Sequence, residues 1–217
     1  MIQILNRRHL IYNAIFVFAL VSGFMLFNPC QNVSVYANES EKLLDVDYSK
    51  FDKTTTQESA DKFFKQALST SDVKTREKYL KEALAKYYIL SNMDKSNPYY
   101  CVRLARIYDI QKNDAYAKAY FYRALGLDSK NVSANFYFAE FYNTRKQYKR
   151  ALEYYNKALM YGMRADASTY KKIGNIYERF GDITRANFYY KESKRLNPRD
   201  KNIEDKIHKT TVSPKNK

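Results

Sequence analysis

The chain has 217 residues, 45% of them hydrophobic, with 22 tyrosines, no tryptophan, five glycines and four prolines. So little glycine and proline argues against a sheet-rich fold of tight turns and favours long helices. The formal charge is +15, enough to draw polyanions or anionic surfaces through a long-range field, while two cysteines, Cys30 and Cys101, leave no disulfide framework and no zinc-spaced pair.

In chain order, Arg7 and Arg8 precede an apolar run from Ala14 to Phe27, which Asn28-Pro29 ends. Positive, then apolar, is the order of a secretory signal. Val35-Tyr36-Ala37 offers small residues where a signal peptidase reads, so residues 1–37 are expected to be a signal peptide cleaved after Ala37. The alternative is a retained signal anchor, since residues 10–27 have just the length of a membrane helix. Either way the arginines hold the N-terminus in the cytoplasm and the body is exported. The expected location is the periplasm, the cell surface or the medium, tethered by residues 10–27 in the anchor reading. A lipoprotein is not expected, because Pro29 stands where a small residue should precede Cys30.

Residues 38–57 are polar and acidic, with six acids against three lysines over 38–60, and are expected to form a flexible acidic linker. Over 58–97, Ala60, Phe63, Phe64 and Ala67 share one apolar helical face and Tyr79, Leu80, Ala83, Leu84 and Tyr87 another. Then one pattern occurs three times over 98–199. It reads Leu104-Ala105, Tyr108, Ala117, Phe121, Ala124, then Phe138-Ala139, Tyr142, Ala151, Tyr155, Ala158, then Ile173-Gly174, Tyr177, Ala186, Tyr190, Ser193, closing on Pro198. The offsets are 34 and 35 residues, the period of a stacked helix-hairpin array. Cys101, Leu104, Ala105 and Tyr108 fall at i, i+3, i+4 and i+7, one helical face, and Cys101 is thus a buried, inert thiol. Small residues let paired helices approach, and the aromatics fill the space between hairpins.

Small residues at positions 8, 20 and 27 with aromatics at 11 and 24 of a 34-residue unit resemble the tetratricopeptide repeat. The third block is most similar, with Tyr170, Ile173, Gly174, Tyr177, Ala186, Tyr190 and Pro198 in place; Tyr170 stands where the family often has Trp, and Ser193 replaces an alanine. One extra residue falls in the turn 161–166. The resemblance implies an all-α, right-handed superhelical array of antiparallel helix hairpins, a solenoid behind the export signal. Residues 58–97 then form a degenerate, shortened N-terminal repeat, in frame through Ala83 and Tyr87 but with Thr70, Ser71 and Lys74 at first-helix positions. Residues 200–209 are expected to cap the other end with Ile203 and Ile207 turned inward, and 210–217 to be a disordered basic tail.

Chemistry finds no purchase in these residues. The histidines are His9, in the signal, and His208, in the cap, and no phosphate loop or metal-ligand cluster is present. No enzymatic activity, cofactor or metal is expected. The resemblance implies instead a peptide-binding groove on the first helices of the hairpins. Its positions fall on Tyr99, Val102, Arg106 and Asp109, on Ser133, Phe136, Glu140 and Asn143, and on Ser168, Lys171, Asn175 and Glu178. Val102 and Phe136 are the favoured apolar contacts, with Arg106 and Lys171 placed to pair acids of a partner. The Lys171–Asn175 pair resembles half of a carboxylate clamp, yet it falls in the last block, so that clamp is incomplete. The leading expectation is an exported scaffold of the bacterial envelope that holds a segment of another protein. The alternatives are a basic adhesion module for an anionic lipid or cell-wall polymer, through Arg145-Lys146-Lys149-Arg150 and Lys191-Lys194-Arg195, and a self-assembling structural protein. No sequence-specific nucleic-acid module is present.

Overall fold

The computed structural model describes residues 46–212; the expected signal segment and the last five residues lie outside them. Among the described residues the regular elements are a single 3-10 turn, Tyr48–Lys50, and nine helices, with no strand. The helices are α1 (Lys53–Ser69), α2 (Val73–Met93), α3 (Pro98–Ile110), α4 (Asp114–Leu127), α5 (Val132–Thr144), α6 (Tyr148–Met160), α7 (Ala167–Arg179), α8 (Ile183–Leu196) and α9 (Lys201–Val212). None is long and apolar enough to cross a membrane.

Local chemistry sets the ends. Asp52, Asp72, Asn97, Asn113, Asn131, Asp166 and Asp182 each accept a backbone N–H from the first turn of the following helix, which satisfies donors a helix leaves orphaned. Within three of the hairpins the first helix ends the same way. Lys112, Lys146 and Gly181 take positive φ (60°, 59° and 74°), and the next residue donates its N–H to the carbonyl of Tyr108, Tyr142 or Tyr177 at 2.9–3.0 Å. This is the left-handed closure glycine favours; two of the three turns accept it on lysine.

The helices pair as α1/α2, α3/α4, α5/α6 and α7/α8, with α9 against α8. The small positions are where the pairs touch: Ala60, Ala105, Ala139 and Gly174 on the first helices, Ala83, Ala117, Ala151 and Ala186 on the second, all buried. Tyr87, Phe121, Tyr155 and Tyr190 lie fully buried one turn further on. Phe121 stacks on Phe138 of the next hairpin at 4.9 Å between ring centres, so these rings bind hairpin to hairpin. Cys101 is buried as expected, and that burial pushes its thiol up.

Three expectations are corrected. Helix begins at Lys53, inside the stretch read as a flexible linker, because Asp52 caps it and Thr56 is buried. The first hairpin is lengthened, not shortened: α1 has 17 residues and α2 has 21, against 13 and 14 in α3 and α4. Ala60 and Ala83 are 23 residues apart where Ala105 and Ala117 are 12 apart, so eleven residues, about three helical turns, are inserted at the hairpin tip. Counting back 34 residues therefore landed on Thr70, Ser71 and Lys74, while Ala60 and Phe63 were the true counterparts of Ala105 and Tyr108. Finally, α9 runs past 209, since Thr210 is buried and receives a hydrogen bond from Asn187 at 2.7 Å.

Both ends are finished mostly in polar side chains, with Leu68 the exposed large apolar residue of α1. Thr54, Thr55, Glu58, Lys62 and Lys65 of α1 are exposed, as are Lys201, Asn202, Glu204, Asp205, His208 and Lys209 of α9. Polar outer faces are what terminal repeats need for solubility.

The tightest contact yields a test. A Cβ on Gly174 would lie 2.6 Å from the Tyr190 ring and 3.3 Å from the Ala186 carbonyl, and Tyr190 is pinned by its hydroxyl. Gly174→Ala is expected to cost about 1–3 kcal/mol, measured as a lower midpoint in urea with an unchanged slope.

Candidate functional site

The first helices, α1, α3, α5, α7 and α9, are joined to one another by a repeated polar link. In the first hairpin Tyr87 donates its hydroxyl to Asp61 of α1 at 2.6 Å, and Tyr99 of α3 does so at 2.5 Å. Arg103 of α3 donates to the Tyr99 hydroxyl at 2.8 Å and sits 3.6 Å from Asp61. In the third, Tyr155 donates to Glu140, and Lys172 of α7 pairs with the same carboxylate at 2.6 Å. In the fourth, Tyr190 donates to Glu178 at 2.6 Å, and Lys206 of α9 pairs with it at 2.8 Å. Each time a buried second-helix tyrosine meets a first-helix carboxylate, and the next first helix supplies the cation. Burial and the adjoining carboxylate push the tyrosine hydroxyls up, so they remain donors.

The second hairpin breaks the rule. Phe121 has no hydroxyl, Arg106 stands where Asp61 and Glu140 stand in their hairpins, and Tyr137 stands where the cation should be. The result is a cation–π stack: the Arg106 guanidinium lies 3.8 Å from the centre of the Tyr137 ring and 4.9 Å from that of Phe64. Burial pushes Arg106 below the usual arginine value, and among the described residues no carboxylate lies within ion-pair distance of it. Beside it a cleft of about 230 Å³ opens between α3 and α5, lined by Asn97, Pro98, Tyr99, Val102, Arg103, Asn131, Ser133 and Tyr137. Arg103, which lines the cleft, has its Nε buried with no hydrogen-bond partner.

The expected groove residues therefore separate. Asp109 pairs with Arg145 at 2.7 Å and Lys171 with Asp200 at 2.8 Å. Glu140 and Glu178 belong to the links above, and the Asn175 side-chain oxygen lies 2.9 Å from the Tyr190 hydroxyl. Asn143 closes the α5 turn through its carbonyl. Val102 is not a free apolar contact: it is 4% exposed, clustered with Cys101, Ala124 and Ala134, and shows only its edge to the cleft. Phe136 is half-buried against Tyr137 and Tyr155. Ser133 and Ser168 are exposed. Tyr99, Arg106, Ser133 and Phe136 are thus brought to one stretch of α3 and α5. Arg103 and Tyr137, one position beyond those counted as groove, were missed; both repeat the place of Lys172 and Lys206, and that alignment was the available signal.

A family model described as tetratricopeptide repeat matches residues 98–131 and 167–200. The chain carries tetratricopeptide repeats. The hairpin between the two matches has the same architecture, with Asn135 buried at the fourth position in place of Cys101 or Tyr170. Solved structures of similar fold include PilF of Pseudomonas aeruginosa (TM-score 0.55, 18% identity, 72% of this chain and 69% of that one). MamA of Desulfovibrio magneticus RS-1 is another (0.54, 18%, 71% and 84%). A third is YrrB, a tetratricopeptide protein with an unusual peptide-binding site (0.53, 20%, 57% and 63%), so this chain spans under two thirds of YrrB. At these identities the likeness is one of fold. No curated protein matches the chain.

The tetratricopeptide links carry a pH dependence. Burial alone would raise the Glu178 carboxyl, but hydrogen bonds from Lys206 and Tyr190 outweigh it and hold the group below its ordinary value. A depressed carboxyl contributes stability that is fully present above the ordinary glutamate range and lost as pH falls through the lower folded value. Glu178→Gln is therefore expected to flatten the acid limb of a stability–pH curve, read by urea denaturation between about pH 5 and pH 3, and to leave the slope near neutrality unchanged.

Proposed function

We propose that this protein is an exported, non-catalytic scaffold that holds an acidic, partly apolar segment of another protein across α3 and α5. The observation that carries this reading is Arg106, a largely desolvated guanidinium on the tetratricopeptide face with no carboxylate of the described residues to meet it. A half-buried cation without a counter-charge is disfavoured, and a ligand carboxylate arriving there gains a charge-assisted bond. The other charges of that face are engaged within the chain, Lys171 among them, so Arg106 marks where on the array a partner acid is drawn. The cleft beside it has tyrosine walls and the exposed Ser133 hydroxyl, and half-buried Phe136 offers apolar surface on the same helix. A peptide-binding site in YrrB, which shares the fold, is consistent with this use of the array. Export rests on the order of charge and apolar residues in the first 37 positions.

The test uses arrayed peptides of about ten residues in which acidic and aromatic positions are varied independently. The full chain is expected to select an acid flanked by an apolar residue. Arg106→Gln should lower that affinity about tenfold, the equivalent of one charge-assisted bond, while loss of its ring contacts lowers stability by no more than about 2 kcal/mol. Phe136→Ala should lower affinity for the apolar flank only. Selection that survives both substitutions unchanged would reject the α3–α5 site.

A further inference from the structure

We propose a second binding surface, separate from the groove: a basic, aromatic-edged cleft at the turn between α5 and α6 that seats a phosphate-bearing headgroup of an anionic lipid bilayer. The cleft is about 330 Å³ and is lined by Lys146, Gln147, Tyr148, Lys149, Arg150 and Phe180. Phe180 comes from the following hairpin, where it ends α7 with 46% of its surface exposed. Next to it Arg179 lies over the Tyr148 ring at 5.2 Å.

The charges here are free of ion pairs and gathered at one turn. Arg145, the neighbour in sequence, is held by Asp109 at 2.7 Å and Asp114 at 2.5 Å. In the second basic run Lys194 pairs with Glu204, and Arg195 with Glu192 at 2.9 Å, while Lys191 is exposed. Two acids of the adjoining helices are engaged, Glu153 with Lys157 at 2.6 Å and Asp182 with Arg185 at 2.5 Å. Among the described residues, Lys146, Lys149, Arg150 and Arg179 have no carboxylate within ion-pair distance. Four cations without an ion-pair partner therefore gather around one pocket with an exposed phenyl ring at its edge.

Charge complementarity calls for an anion, and the shape of the patch selects its class. A nucleic acid tracks a line of cations spread along its backbone, whereas these cations cluster at one turn. A bilayer presents phosphates in a plane beneath which lies an apolar layer. Cations beside a protruding phenyl ring match that profile: the ring enters the interface and the cations meet the phosphates.

The experiment is co-sedimentation of the full chain with vesicles of phosphatidylcholine alone and with 30% phosphatidylglycerol, about 0.1 M salt throughout. The ratio of the two partition coefficients cancels whatever apolar association the vesicles share. A ratio above about a hundred is expected, falling roughly fivefold for each cation removed from the set Lys146→Gln, Lys149→Gln and Arg150→Gln. Phe180→Ser should weaken binding to the anionic vesicles alone. The control, Lys62→Gln with Lys65→Gln and Lys81→Gln, removes the same charge from exposed positions of α1 and α2 and should leave the ratio nearly unchanged. Equal losses in the two triple variants would reduce the effect to net charge and overturn the site. So would a ratio near one, or a single-stranded oligonucleotide bound more tightly than the vesicles through the same three cations.

Discussion

Burying a tyrosine hydroxyl between two helices leaves a donor that must be met, and the rest of this structure follows from how it is met. A carboxylate on the first helix accepts from the hydroxyl, but a carboxylate drawn out of water needs a second partner. The next hairpin supplies it from one fixed place on its own first helix. Packing within a hairpin thereby dictates what the following hairpin must carry, so stability along the array is coupled from neighbour to neighbour, as expected where each repeat touches only the next. The three carboxylates Asp61, Glu140 and Glu178 are not spare groove charges. They are the acceptors that allow Tyr87, Tyr155 and Tyr190 to be core residues.

The second hairpin shows the rule by exchanging its parts. Once Phe121 removes the hydroxyl, no acceptor is needed, and the carboxylate position is open to Arg106. Once the carboxylate is gone, no cation is needed across the junction, and Tyr137 takes that place. The two substitutions are mutually consistent, because the guanidinium finds the ring that replaced its counter-charge. A cation–π contact, however, leaves the N–H edges of the guanidinium with donors to spare. The array thus holds together at this junction while keeping unspent hydrogen-bonding capacity there.

The period of 34 residues and the small and aromatic positions were legible in the sequence because they are local: each helix must present its narrow side to its own partner. Three hairpins, the cap around Ile203 and the buried Cys101 all follow from that. The first hairpin was illegible at its first helix because eleven inserted residues lie between Ala60 and Ala83, and a fixed-period search cannot cross an insertion. Of the site, the positions of Tyr99, Arg106 and Phe136 could be read, whereas their condition could not. Whether Lys171 is free depends on Asp200, 29 residues on, and whether Val102 is free depends on Ala124 and Ala134 of the neighbouring helices. These are questions of what crosses a junction, and Arg103 and Tyr137 were overlooked for the same reason.

The surplus of basic residues takes on a different meaning once pairing is counted. Arg103, Arg145, Lys171, Lys172, Lys194 and Lys206 are all drawn into links between elements, so part of the charge that composition advertises is structural. A field set by net charge would act on the whole surface alike; contact binding acts only where a cation has not already been claimed. The turn between α5 and α6 meets that condition because the one arginine there with carboxylates in reach, Arg145, takes both. In doing so it leaves Lys146, Lys149 and Arg150 uncompensated beside an exposed phenyl ring. The same economy of acids that stabilises the junctions therefore creates the patch: every carboxylate spent on a tyrosine or a neighbouring helix is one fewer to neutralise the turns.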